Sequence, residues 1–416
     1  MSETYRLAVE GMLSASQLAF SDLTAFKEPN TPVTLSFDDP EIRFLRIGVP
    51  GLPRLDAGHV SVFSKGESGK SDRVSTQPWN PSLHATNLEL FNEMSTASLD
   101  VGSAIKLSHL VIEKAMFSGA KTPDFVAAAS SDGTEWQVLY NSKARAIERT
   151  KFIRALGKSA ALGTPLRAEM LAIAEIVAAM ANNYHQRSYQ LMKDFKLPRE
   201  AVIAIRDIFN ERVLGSMDLE WNHHGVRRSF RFWSTAEKVT YINSANTFIE
   251  GLSKQVSDKV CLGFGSVLSL VRDRDLIPHD DDLDIILAFD REEVPTISQG
   301  LAIIEDFAAR NGYELNKVAP SRSVSHRQLI ISRGAKKVDI FVGLCEEGRV
   351  SWLPQKRKSL AVSDVFPSVK ASLLGVDCLV PANALRYLEI VYGKDWHIPD
   401  PFFSHNWSVK DYLDIL

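Results

Sequence analysis

The sequence predicts a multidomain α+β protein with an N-terminal β-sandwich, a helical connector and a C-terminal mixed sheet packed with helices. Three observations carry this expectation. The chain has 416 residues, which at roughly 150 residues per domain amounts to two or three domains. Short apolar runs broken by Pro, Gly, Ser and Asn fill the range 32–155, whereas 165–214 switches to a helical period. Beyond about residue 216, strand and helix patterns alternate to the end.

Composition narrows the classes. Hydrophobic residues make up 45% and charged residues 24%, ordinary globular usage that excludes a disordered chain, a collagen-like repeat or a disulfide scaffold. Lys+Arg 48 against Asp+Glu 51 leaves a net charge of -3, so no basic field exists to grip nucleic acid, and none is expected as a partner. The three cysteines, Cys261, Cys345 and Cys378, include no CxxC pair, which argues against a zinc site or a disulfide framework. Glu3, Arg6 and Glu10 interrupt any apolar leader, so no secretory signal is expected. The most apolar stretches, 170–181 and 260–271, fall short of the roughly 20 residues that a spanning helix needs. The expected location is the cytoplasm, with peripheral contact at the inner face of the membrane left open.

The elements follow in order. Residues 1–31 form an N-terminal extension. In the sandwich range 32–155, VTLSF alternates Val33, Leu35 and Phe37 against Thr34 and Ser36, the period of a strand with one buried face. IRFLRIGV, HVSVF, AIKLSHLVIEKAMF, FVAAAS and WQVLY continue the strand series. Asp132-Gly133 marks a turn before a strand on which Trp136, Val138 and Tyr140 are expected to share a face. This SxDGxxWxxLY string resembles the hairpin of discoidin-type sandwiches, and that resemblance implies carbohydrate binding; Trp136 either fills the core, the favoured reading, or stacks on a sugar. In the connector, 156–215, Met170, Ile173, Val177 and Met180 form one apolar stripe and Val202, Ile205, Phe209 and Val213 another, with Pro198 between them. Both stripes read as core.

The range 216–416 opens with a cluster of His, Arg and aromatic residues. His223 and His224 point apart on a strand and lack a carboxylate at ligand spacing, so they read as structural or substrate-facing rather than as a metal pair. Arg227, Arg228 and Arg231 read equally as an anion-binding rim or a solvated face. Ser234 with Glu237 forms a capping box for a helix carrying Val239, Ile242, Ile249 and Leu252.

The chemistry concentrates in GFGSVLSLVRDRDLIPHDDDLDII, residues 263–286. From Asp282 the alternation is that of a strand, with Asp282 and Asp284 on one face and Leu283, Ile285 and Leu287 on the other. Two carboxylates side by side repel unless a cation lies between them, and hard oxygen ligands suit Mg²⁺ or Mn²⁺ shared with phosphates. A further carboxylate, Asp339, sits in the β-rich run 336–342. Between them a helix is expected, capped by Asp290 with Glu293, facing Ile297, Leu301, Ile304 and Ala308 inward and ending at Asn311-Gly312. Upstream, Gly265-Ser266 is read as a small-residue turn between two helices whose backbone N–H groups approach a phosphate. Lys356-Arg357-Lys358 reads as a solvated loop, with phosphate contact as the second reading.

The order Gly-Ser, Asp-x-Asp, distant Asp resembles the polymerase-β-like nucleotidyltransferase fold. The string GSxxxxxRxxxxIPxDDDxDI resembles the LicD/fukutin family within it, and 392–399, YGKDWHIP, is similar to the family's closing YGxxW-P segment. His279 departs from the pattern, where the family usually carries an aromatic residue. The resemblance implies that Asp280, Asp282 and Asp284 hold metal ions with Asp339 as the remote carboxylate, and that Gly265, Ser266 and Arg272 contact the donor's phosphates. Asp339 is the first candidate for the general base and Asp280 the alternative. The implied reaction moves phosphocholine, a polyol phosphate or a sugar phosphate from a CDP- or other nucleotide-linked donor to a hydroxyl of a surface glycan, such as a capsule or lipopolysaccharide. Two alternatives are a nucleotidyltransferase that releases pyrophosphate and a non-catalytic glycan-binding protein.

Overall fold

A computed structural model describes residues 2–20, 33–50, 60–66, 70–74, 91, 94–112, 124–222, 225–316, 324–332, 336–400, 403, 405 and 409–416. His223, His224 and the 113–117 end of one expected strand lie outside the described residues. The chain divides into two compact units, Met1–Trp221 and Asn222–Leu416.

The first unit opens with helix α1 (Ser2–Ala19) and continues through strands β1 (Val33–Ser36), β2 (Glu41–Pro50), β3 (Val60–Lys65), β4 (Ser71–Arg73), β5 (Met94–Ile112), β6 (Val126–Ser130) and β7 (Gln137–Asn141). The strands join in the order β4-β3-β5-β2-β6-β7, with β1 also on β5. The long β5 pairs with β2 through Lys106 and with β1 and β3 beyond it. Leu45, Ile47 and Leu99 from the first stretch share one core with Val62, Leu110 and Ile112 from the second.

A bulge corrects one expectation. The β6–β7 register slips between Ala127 and Ala128, and a one-residue slip exchanges the faces of a strand. Trp136 therefore packs with Phe44, Val126 and Ala128, whereas Tyr140 joins the opposite core and Val138 is exposed. The Trp136 ring is buried, its Nε1–H donates to the Gly133 carbonyl at 3.3 Å, and the Arg46 guanidinium lies 5.1 Å from its centroid. Its surroundings are those of a packing residue, not of a sugar platform.

Helices begin sooner than position 155. Asn141 caps α2 (Ser142–Ala160), accepting from the Ala144 N–H, and α3 (Arg167–Ala181), α4 (His185–Phe195) and α5 (Arg199–Phe209) follow. Met170, Ile173, Val177 and Met180 are buried as expected. The range 1–31 is not a simple extension: Tyr5, Val9, Met12 and Leu13 of α1 are buried against this bundle. Buried Arg149 ties it together, donating to the carbonyls of Phe20 and Ala181 at 2.6 and 2.7 Å. α4 has no legible apolar stripe, because only Ser188 and Tyr189 of its residues are buried.

The chain passes between units within β8 (Glu220–Asn222), followed by β9 (Gly225–Arg227). The second unit then runs α6 (Thr235–Gln255), β10 (Val260–Leu262), α7 (Phe264–Leu268), β11 (Leu283–Asp290), α8 (Ile297–Arg310), β12 (Glu314–Asn316), β13 (His326–Ser332) and β14 (Lys336–Glu346). β15 (Arg349–Ser351), β16 (Leu360–Ala361), α9 (Val362–Val365), β17 (Val369–Leu373), β18 (Val376–Val380) and α10 (Ala384–Tyr392) complete it. The sheet order is β10-β11-β14-β13-β12; β11 and β14 run parallel and the other pairs antiparallel.

Both faces of this sheet are covered. Leu283, Ile285 and Leu287 pack with Ile242, Phe248, Ile304 and Phe307 of α6 and α8, while Ile286 and Ala288 pack with Phe264, Val267, Tyr387 and Leu388 of α7 and α10. The Ser234–Glu237 capping box is formed. The next helix starts later than expected: Thr296 and Gln299 form its box, and Asp290 instead ends β11 with its carboxylate 2.8 Å from Lys259. Pro295 disfavours helical backbone at Val294, so the helix begins after it. The Lys356–Lys358 run is not a free loop, since Arg357 is clasped by Glu346 and Asp414 and Lys358 pairs with Glu347. All three cysteines are buried free thiols. Among the described residues, no helix is long and apolar enough to cross a membrane.

Candidate active site

The site forms where the α7-covered face of the sheet emerges from beneath that helix. Asp284, second residue of β11, is paired in parallel register with Asp339 of β14, which sets the two carboxylates on adjacent strands spaced about 4.8 Å apart. Asp282 lies on the same face one pleat earlier, in the segment that leads into β11. Asp280 belongs to the preceding turn, which is pinned by backbone bonds from Phe230 N–H to the Asp280 carbonyl and from Arg231 N–H to the Pro278 carbonyl, both 2.8 Å.

The turn brings the oxygens of Asp280, Asp281 and Asp282 within 4.8 Å of one another. Asp281 was not singled out by the alternation. Its carboxylate receives Arg227 at 3.4 Å and the Asn222 amide at 3.4 Å. Arg227 thus faces this turn, while Arg228 is held by Glu237 and the Phe232 carbonyl.

Gly265 and Ser266 act on Asp284. The Gly265 N–H donates to Asp284 Oδ2 at 2.9 Å, and the Asp284 N–H donates to Ser266 Oγ at 2.8 Å. The Ser266 N–H is taken by the Gly263 carbonyl. The turn follows strand β10 rather than the expected helix, and the Gly265 N–H and Ser266 Oγ hold the Asp284 carboxylate and backbone N–H respectively. A Cβ on Gly265 would lie 3.2 Å from Asp280 Oδ2 and 3.3 Å from Asp284 Oδ2, so both carboxylates converge on this glycine. Gly265→Ala is expected to weaken divalent-cation binding by about tenfold without unfolding the chain, by displacing those oxygens; a calorimetric Mn²⁺ titration checks it.

Burial, reinforced by charge crowding, shapes the electrostatics. Burial, then the charges of Asp339, Asp280 and Asp284, push the Asp282 carboxyl well above the usual range. Asp284 is raised by burial, Asp280 and Asp339, with the Gly265 N–H opposing. Arg272, in a π-turn after α7, is held by the neighbouring Asp273 at 2.8 Å. Its charge is felt at the Tyr392 hydroxyl together with those of Asp284 and Asp280, which places all of them in one neighbourhood.

Sequence reasoning missed the residues that hold the carboxylates in place. Tyr241 on α6 accepts from the Leu283 N–H at 2.9 Å and donates to the Lys337 carbonyl, bridging the starts of β11 and β14. His326 Nε2 lies 2.9 Å from Asp339 Oδ2, and the Gln328 amide donates to Oδ1 at 2.7 Å. The sequence signal was the β pattern of 328–332, which includes Gln328 and not His326.

The donor set fits a hard divalent cation: oxygens of Asp280, Asp281 and Asp282 gather within 4.8 Å, and the neighbouring charges of Asp284 and Asp339 add a repulsion that such an ion relieves. Residues 258–383 match the family model described as LicD/FKTN/FKRP, nucleotidyltransferase domain. No curated protein matches the chain. The match spans Gly265, Ser266, Arg272, Asp280, Asp282, Asp284 and Asp339, and on it the C-terminal part of this chain is assigned to the LicD/fukutin family, a family of transferases.

Proposed function

We propose that Asn222–Leu416 is a metal-dependent transferase that moves a phosphorylated group from a nucleotide-linked donor, CDP-linked in the first instance, to a hydroxyl of a glycan. The observation that supports it most is the in-register pairing of Asp284 with Asp339 beside Asp280 and Asp282. These four carboxylates would hold Mg²⁺ or Mn²⁺, which offsets the negative charge of a donor's phosphates and draws electrons from the phosphorus. Arg272, turned from Asp273 onto an equatorial oxygen, and the Gly265–Ser266 turn are proposed to border the phosphates. The acceptor oxygen forms a bond to the distal phosphorus, the bond to the nucleoside monophosphate breaks, and the acceptor's proton passes to a carboxylate, Asp339 or Asp280. The proposed setting is the cytoplasm.

Incubating the full chain with Mg²⁺, a panel of CDP- and other nucleotide-linked donors and glycan acceptors, then weighing the released nucleotide, tests this reading. A monophosphate released by wild type and absent with Asp282→Ala is the expected result. Pyrophosphate from free nucleoside triphosphates, without turnover of linked donors, would establish the nucleotidyltransferase alternative instead.

A further inference from the structure

The geometry points to His326 and Gln328 as positioning residues that lock the carboxylate plane of Asp339, so that this remote carboxylate is presented as a fixed cation ligand. The inference rests on the metal-site reading above and adds residues that the acidic motifs do not contain.

The two residues lie on β13, antiparallel to β14, with Gln328 directly opposite Asp339 and His326 opposite Phe341. Successive same-face positions on one strand therefore approach one carboxylate from two directions. His326 is buried, its ring stacked on Phe341 at 5.0 Å and 22°, and its Nε2 is 2.9 Å from Asp339 Oδ2. A carboxylate only accepts, so Nε2 carries the proton of this bond. The Gln328 amide donates to the other oxygen, Oδ1, at 2.7 Å. Its orientation is set in turn by Asn316 of β12, whose amide donates to Gln328 Oε1, leaving the NH₂ end for Asp339. The backbone is held as well: Arg327 ion-pairs with Glu305 of α8 at 2.6 Å and donates to the His326 carbonyl at 3.0 Å.

A carboxylate held through only one oxygen can still turn about its terminal torsion. With one donor on each oxygen it has a single plane, and each oxygen keeps a second lone pair for a cation. Asp284 on the adjoining strand is held by the Gly265 N–H, which donates to its carboxylate, and by Ser266 Oγ, which accepts from its backbone N–H, so both facing carboxylates carry a bracing donor. Outer contacts of this kind govern metal affinity through ligand orientation and typically change it 10–100-fold.

Mn²⁺ titration of the full chain, followed by electron paramagnetic resonance of the free ion, reads the effect without turnover. His326→Leu is expected to weaken Mn²⁺ binding 10–100-fold, and His326→Gln, whose amide can donate in place of Nε2, to recover most of it. Gln328→Leu, at a half-buried position, is expected to weaken binding in the same direction, and it decides the matter if His326→Leu does not fold by circular dichroism. Wild-type affinity in folded His326→Leu, or in Gln328→Leu where that variant decides, alongside weakened Asp282→Asn, would overturn the positioning role and leave the metal site standing. Absence of Mn²⁺ binding by wild type would overturn both.

Discussion

Asp284→Asn is expected to abolish transfer and, in the same protein stripped of metal, to raise the unfolding temperature. Losing a proposed ligand that faces Asp339 across β11 and β14 should reduce turnover by at least about 100-fold, the upper range seen for mere outer contacts of a metal ligand. The stability gain follows from charge crowding. Asp284 carries a raised pKa because burial and the charges of Asp280 and Asp339 disfavour its anion. A carboxyl whose folded pKa lies above its unfolded value loses stabilising free energy as pH rises through the folded value. Wild type without metal should thus become less stable from acid toward neutral pH, and Asn, which retains an oxygen for the Gly265 N–H, should relieve part of this, about 0.5–2 kcal/mol near neutrality. Below the unfolded pKa both chains are neutral at this position and the difference should vanish. Thermal unfolding in chelator, or with Mg²⁺ in its place, at pH 3 and pH 8, measures all of this. Mg²⁺ should stabilise wild type more at the higher pH and the variant little at either. Equal unfolding temperatures for the two metal-free proteins at pH 8 would show that the carboxylates are not in electrostatic conflict.

Arg357→Ala is expected to cost about 2–3 kcal/mol, the loss of two charge-assisted hydrogen bonds to a buried carboxylate that keeps a second cation. Glu346 at the end of β14 is buried, and two nitrogens of Arg357 reach its carboxylate, each at 2.7 Å. Arg291 joins at 2.8 Å, Ser351 donates at 2.6 Å, and Arg357 also holds the Asp411 carbonyl and Asp414. Removing Arg357 leaves the buried Glu346 anion to Arg291 and Ser351 and releases the C-terminal turn, whose Tyr412 hydroxyl donates to the Trp352 and Gln355 carbonyls. Arg357, with Ser351 and despite burial, holds the Glu346 carboxyl down at about 2. A depressed carboxyl contributes stability that is full above its unfolded pKa, about 4.3, and is lost as pH falls toward about 2. The penalty should therefore be largest at neutral pH and shrink over that window. Urea unfolding of the full chain, read by hydrogen exchange in peptides from 336–351, checks both the size and the pH dependence.

How much of this was legible depends on the range of the interaction. Alternation placed Asp282 and Asp284 on one face and the apolar residues on the other, because the pleat has a period of two residues. The capping box at Ser234 and the α3 stripe were equally readable, being written within a few residues of one another. The Trp136 and Tyr140 faces were not, since a bulge opposite Ala127 and Ala128 depends on the partner strand. Nor was the role of Gly265 and Ser266: a Gly-Ser turn looks open until Asp284, on another element, takes its hydrogen bonds. Arg357 read as a solvated charge because Glu346 and Asp414 are remote in sequence. By itself the sequence determined the α+β class, the acidic face and the membership of its C-terminal part. Only the tertiary structure decided which groups hold those carboxylates, because His326, Gln328 and Tyr241 meet them through strand register and helix packing, and neither is encoded in any local spacing.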